Sequence, residues 1–230
     1  MAQASRTVAA LAAVLLSGLA PAASGQSALF RVEPIAPPGA GLTTVATDVS
    51  DSGWVAGYTF DFTPSDGFGF VRDPATGAYT ALQPARGIGA AQPHRVLDSG
   101  RAGGTTFATG RSGTPTVWTA AGAARELRQP FLSGFGLACD ASAIGLVVGS
   151  SQWLPNQEHP LTWRGSVMHL APLPPGKSFG RLCAVNGRGL MVGFARATPG
   201  GPPEGYVLDA AGTVAPIGLL PGGTFSALND

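Results

Sequence analysis

The sequence is poor in the residues that carry chemistry. Its 230 residues include two cysteines, three histidines and only 12% charged residues. Formal net charge is +1 and no cluster of Lys and Arg occurs along the chain, so composition makes no electrostatic case for nucleic acid or acidic lipid. Two isolated cysteines supply too few ligands for a metal site. There is no Gly-x-x-x-x-Gly-Lys-Ser/Thr loop and no His-Glu-x-x-His, so the common nucleotide and zinc signatures are missing. Gly67-Phe68-Gly69 and Gly87-Ile88-Gly89 are glycine turns without the rest of a dinucleotide fingerprint. No Asn-x-Ser/Thr site is present, and no cofactor is implied. No long stretch keeps a 3.6-residue apolar period, which disfavours a helical solenoid.

What the chain has in excess is glycine and proline, 34 and 20 residues, beside an apolar content of 44%. That apolar content argues against simple disorder and suits short strands joined by tight turns. The N-terminus reads as a secretory signal over residues 1–25. Arg6 supplies the positive region, Val8 to Leu19 an apolar run broken only by Ser17 and Gly18, and Ala20-Pro21-Ala22-Ala23-Ser24-Gly25 the small residues of a cleavage region. The run is short for a transmembrane helix and no second one follows. The expectation is a secreted, extracellular or periplasmic chain with no membrane insertion after cleavage.

The remaining residues, 26–230, repeat. A short segment closing in glycine occurs as Gly53-Trp54-Val55-Ala56-Gly57, Gly100-Arg101-Ala102-Gly103-Gly104, Gly145-Leu146-Val147-Val148-Gly149 and Gly189-Leu190-Met191-Val192-Gly193. The closing glycines step by 47, 45 and 44 residues. One short segment precedes each anchor, as Cys139-Asp140-Ala141-Ser142 does, and two follow, as Pro160-Leu161-Thr162-Trp163 and Val167-Met168-His169-Leu170 do. Turns such as Ala75-Thr76-Gly77 and Ala120-Ala121-Gly122 separate the last two segments of a unit. Four strands in about 45 residues is the size of a propeller blade. The fold expected is all-β and β-propeller-like, with four-stranded blades; a β-solenoid or a partial, open propeller is the alternative.

The unit resembles the bacterial extracellular repeat of the HAF family, named for a His-Ala-Phe triplet. The resemblance rests on His159-Pro160-Leu161-Thr162-Trp163 with Met168-His169-Leu170, on Ala184-Val185-Asn186 with Gly189-Leu190-Met191-Val192-Gly193, and on Pro216 to Asn229. It covers residues 30 to 230, although Ser50, Leu97 and Ser142 stand where Asn186 and Asn229 match the pattern. It implies an exported repeat protein and brings no catalytic residues. Phe30 to Ile35 reads as a last strand and Ser226 to Asn229 as a first one, so four complete units carry a partial unit at each end. That count closes neither four nor five blades, and the expectation is a piece of a longer repeat array.

Most candidate site residues occupy repeat positions. Cys139 and Cys183 lie six residues before Gly145 and Gly189, and His94 lies six before Gly100. In an exported chain the two cysteines are disulfide candidates, the alternative being two buried thiols. His159 and His169 read as strand residues. Asp48-Val49-Ser50-Asp51-Ser52-Gly53 has alternating oxygen ligands, but Thr59 stands where a calcium loop needs a carboxylate, so it reads as a turn. Trp118 and Trp163 share a repeat position, which points to packing between sheets. Trp153, in the loop Ser151 to Asn156, is the candidate exposed binding aromatic, and Trp54 is a further aromatic. Together these residues read as a secreted, non-catalytic binding module for an extracellular protein or glycan. A structural piece of a larger surface protein is the alternative, followed by a polysaccharide-active enzyme on a propeller scaffold.

Overall fold

The computed structural model describes residues 34–35, 37, 43–60, 67–86, 89–107, 113–130, 134–152, 154 and 157–218. The signal segment, Trp153 and the last segment, 219–230, fall outside the described residues. So do the two partial units, apart from Pro34 and Ile35. Every described residue in a regular element is in a strand. No described helix is long and apolar enough to cross a membrane.

The described strands form four sheets, each of four antiparallel strands in chain order. The first comprises β1 (Thr43–Val49), β2 (Val55–Phe60), β3 (Phe68–Arg72) and β4 (Tyr79–Leu82). The second comprises β5 (Ala90–Val96), β6 (Ala102–Phe107), β7 (Thr114–Trp118) and β8 (Ala124–Glu126). The third comprises β9 (Phe135–Ala141), β10 (Leu146–Gln152), β11 (Glu158–Arg164) and β12 (Val167–Leu170). The fourth comprises β13 (Phe179–Val185), β14 (Met191–Arg196), β15 (Glu204–Leu208) and β16 (Val214–Gly218). The repeat read from the sequence is therefore one four-stranded sheet per unit.

Both glycines of the anchor have a physical cause. The first ends a tight turn. In the third sheet, Ser142 N–H donates to Leu146 O at 2.8 Å and Gly145 N–H to Ser142 O at 3.0 Å. The same pair of bonds recurs at Ser50, Leu97 and Asn186. The turn requires left-handed backbone, and Gly53, Gly100, Gly145 and Gly189 have φ of 73° to 89°. The second glycine faces a β-bulge. Pairing jumps from Ala138↔Gly149 to Asp140↔Val148, leaving Cys139 as the extra residue. The same jump leaves out Thr47, His94 and Cys183 in the other first strands. A Cβ on Gly149 would lie 2.0 Å from the Leu137 carbonyl oxygen, and Gly57, Gly104 and Gly193 face equivalent carbonyls at 2.0–2.4 Å. No side chain fits there.

The core lies between sheets. Ala56, Val71 and Leu82 of the first sheet pack with Val96, Ala102 and Trp118 of the second. Val117 and Leu127 pack with Ala138, Val147, Leu161 and Trp163. Leu146 and Val148 pack with Leu182, Val185, Tyr206 and Leu208. Trp118 and Trp163 are buried and point back to the preceding unit. Their indole Nε1–H groups donate to Gln83 O at 2.7 Å and Arg128 O at 2.6 Å. The equivalent valines differ: Val96 and Val185 are 0% and 3% exposed, whereas Val49 of β1 is 61% exposed.

Candidate functional site

The first strands of successive sheets lie side by side, β1 by β5, β5 by β9 and β9 by β13. This juxtaposition aligns residues one repeat apart. Beyond each bulge stand Asp48, Arg95, Asp140 and Ala184. Asp48 Oδ2 accepts the Val96 N–H at 2.7 Å, and Asp140 Oδ2 accepts the Val185 N–H at 2.8 Å. Each aspartate thus binds the backbone of the next sheet. Arg95 stands between them, with Nη1 3.3 Å from Asp48 Oδ1 and Nε 3.3 Å from Asp140 Oδ1. The second contact is an ion pair off hydrogen-bond geometry. Asp140 also takes its neighbour's N–H, from Ala141, at 2.7 Å. Burial pushes its carboxyl up to about 6, against the pull of these donors and of Arg95. Asp48, which opens the candidate calcium loop, is thus engaged in joining sheets.

The bulge position gathers the chain's scarce titratable side chains. His94 Nδ1 is 2.9 Å from the Ala138 carbonyl oxygen, which can only accept, so Nδ1 carries the proton. Burial holds this imidazole below its ordinary value. Cys139 and Cys183 are free thiols, both half-buried and both pushed up by burial, Cys183 to about 11. Next to this layer, Arg181 of β13 makes a two-pronged ion pair with Glu158 of β11, at 2.7 and 2.9 Å. His159 packs its ring 5.7 Å from Phe179 of the next sheet, and His169 is exposed on β12. Trp54 packs onto the core between the first two sheets and lies over Gly100. Among the described residues no group of three or more His, Cys, Asp or Glu could hold a metal ion.

Two recesses open at the end of the sheets where these anchor turns lie. The first, of about 250 Å³, is lined by the turns that follow all four first strands. Asp51, Arg95, Asp98, Ser99, Ser142 and Asn186 give it a polar, mixed-charge wall. Hydrogen bonds from Ser52 hold the Asp98 carboxyl below its usual range, so it is ionised at neutral pH. The second recess, of about 270 Å³, is a cleft between the second and third sheets. Its floor is Leu97, Ala102, Val117 and Val147, and its rim carries Arg101, Arg125 and Arg164. The two recesses share Leu97, Arg101, Ala141 and Ser142 and form one continuous surface.

Sequence reasoning did not find this surface. Arg101 comes from a turn, Arg125 from β8 and Arg164 from the end of β11, at three different repeat positions. Only the packing of the sheets brings them together. The chain matches no protein-family model and no curated protein sequence.

Proposed function

We propose that the chain is an exported, non-catalytic binding module of the HAF repeat type. Its sheets are the blades of a propeller-like array, and the turn end is its contact surface. The observation that supports this is the convergence of turns from all four units on one polar recess. Repetition puts the same turn at the end of every first strand, so side chains at turn positions vary without disturbing the sheets. Hydrogen-bonding groups on rigid turns suit recognition of a polar ligand such as an extracellular glycan. The chemistry-bearing residues off that surface have structural work: Asp48 and Asp140 join sheets, and Trp118 and Trp163 fill the core.

The test is a glycan-array screen of the purified chain beside an Ala143→Trp variant, which places a bulky ring at the recess. The expected result is saturable binding by the wild type, lost in the variant, with the ligand recovered at unchanged mass. A shortened ligand would overturn the non-catalytic reading. Undiminished binding by the variant would move the contact surface elsewhere, and a wild type that binds nothing on the array would end the glycan reading.

A further inference from the structure

The cleft between the second and third sheets has a charge of one sign. Its lining includes Arg101, Arg125 and Arg164 and no Asp or Glu. All three arginines are exposed, and their guanidinium groups have no hydrogen-bond or ion-pair partner among the described residues. The carboxylates next to the lining in sequence are engaged elsewhere. Glu126 takes a two-pronged bond from Arg86 at 2.7 and 2.9 Å. Asp140 is bonded to Val185 and Ala141, and Asp98 accepts from Ser52 at 2.8 Å. Three uncompensated cations around one recess is a large local excess for a chain whose net charge is +1.

We infer that this cleft is an anion subsite, and that it takes the carboxylate or sulfate groups of an acidic oligosaccharide. Guanidinium groups match both oxyanions with paired N–H donors, which is why arginine serves at such sites. The cleft runs into the neighbouring recess through Arg101 and Ser142. There the wall changes to the exposed Asp51, Asp98 and Ser99, which can meet hydroxyl groups. An extended ligand with anionic groups at one end and hydroxyls along its length satisfies both halves. A nucleic acid offers phosphates for the arginines, but its charge would also run past the Asp51 and Asp98 carboxylates. The inference rests on the binding-module reading and specifies its ligand class.

The test measures binding of four probes by calorimetry: a galactan oligosaccharide ending in galacturonate residues, the same oligosaccharide ending in sulfated galactose residues, a neutral galactan oligosaccharide, and single-stranded DNA of matched length. The wild type is compared with Arg101→Gln, Arg125→Gln, Arg164→Gln and the triple variant. Because all three side chains are exposed, thermal midpoints should stay unchanged, which controls for folding. The expected result is binding of one or both acidic saccharides, weakened roughly tenfold by each substitution and further by the triple change. Raising salt should weaken it as well. Which acidic probe binds distinguishes carboxylate from sulfate. Equal affinity for neutral galactan would overturn anion recognition, and equal affinity for DNA would overturn the saccharide class. Undiminished binding by the triple variant would overturn the cleft while leaving the binding-module reading intact. No binding of either acidic probe at millimolar concentration overturns the inference, and that reading would then stand or fall on its own array screen.

Discussion

The two glycines of one anchor should differ sharply in what an alanine costs. Gly145 has φ of +79° with nothing within 4 Å of its added Cβ. Alanine there meets only the left-handed penalty, about 1–2 kcal/mol. At Gly149 the added Cβ would sit 2.0 Å from Leu137 O and 3.0 Å from Leu137 C. Reaching even a tight 3.0 Å requires β9 and β10 to part by about 1 Å at the bulge, where the pairing of Ala138 and Gly149 holds them. Overpacking of this kind costs about 1–3 kcal/mol, and one or two weakened ladder bonds add about 1 kcal/mol each. Gly149→Ala should therefore lose about 2–5 kcal/mol, a large part of the total stability of a domain this size. For 150–250 residues that is a fall of roughly 10 °C in thermal midpoint, against roughly 4 °C for Gly145→Ala. Urea and thermal denaturation of the two variants side by side measure the difference. A Gly149→Ala protein as stable as Gly145→Ala would refute the steric account of the repeat's closing glycine.

Other outcomes follow from the contacts between sheets. Burial raises the folded-state pKa of Asp140 from 3.8 to about 6, so its contribution to stability is fully present below about pH 4 and lost as pH rises through 6. The wild type should lose about 3 kcal/mol from this group between pH 4 and 7. Asp140→Asn should show a correspondingly flatter profile, and parallel urea midpoints across that range would count against it. Trp163→Phe keeps most of the buried ring but strands the Arg128 carbonyl, and should cost about 1–3 kcal/mol in urea denaturation. Cys139 and Cys183 should alkylate slowly with iodoacetamide at pH 8 and fast after unfolding, read by mass. Equal rates in the two states would contradict the upward shift of both thiols.

Much of the fold was legible because the repeat writes its sterics in glycine. Gly53 to Gly57 and its three copies mark a turn and a close approach, and both constraints act within one hairpin. The shared position of Trp118 and Trp163 was legible for the same reason: each fills the gap behind its own unit. The segment boundaries were less so. Cys139 to Ser142 reads as a first strand, yet β9 starts at Phe135, because Phe135-Gly136-Leu137 carries no turn signal to separate it. The shared position of His94, Cys139 and Cys183 was visible, but not that it is a bulge, since a bulge exists only relative to the opposing strand. The Asp48–Arg95–Asp140 line and the arginine cleft were invisible for a stronger reason. They depend on lateral neighbours about one repeat apart and on side chains from unequal positions of different units.

The placement of the core between successive sheets also sets how the molecule comes apart. Each apolar cluster belongs to two consecutive units, so energetic coupling passes from neighbour to neighbour as in a one-dimensional Ising chain. Among the described residues the second and third units are each held on two sides by these clusters, the first and fourth on one. Backbone amides should accordingly exchange with solvent along a gradient, slowest in β6 and β10 and fastest in β1 and β16, with opening that starts as fraying at an end and advances one unit at a time.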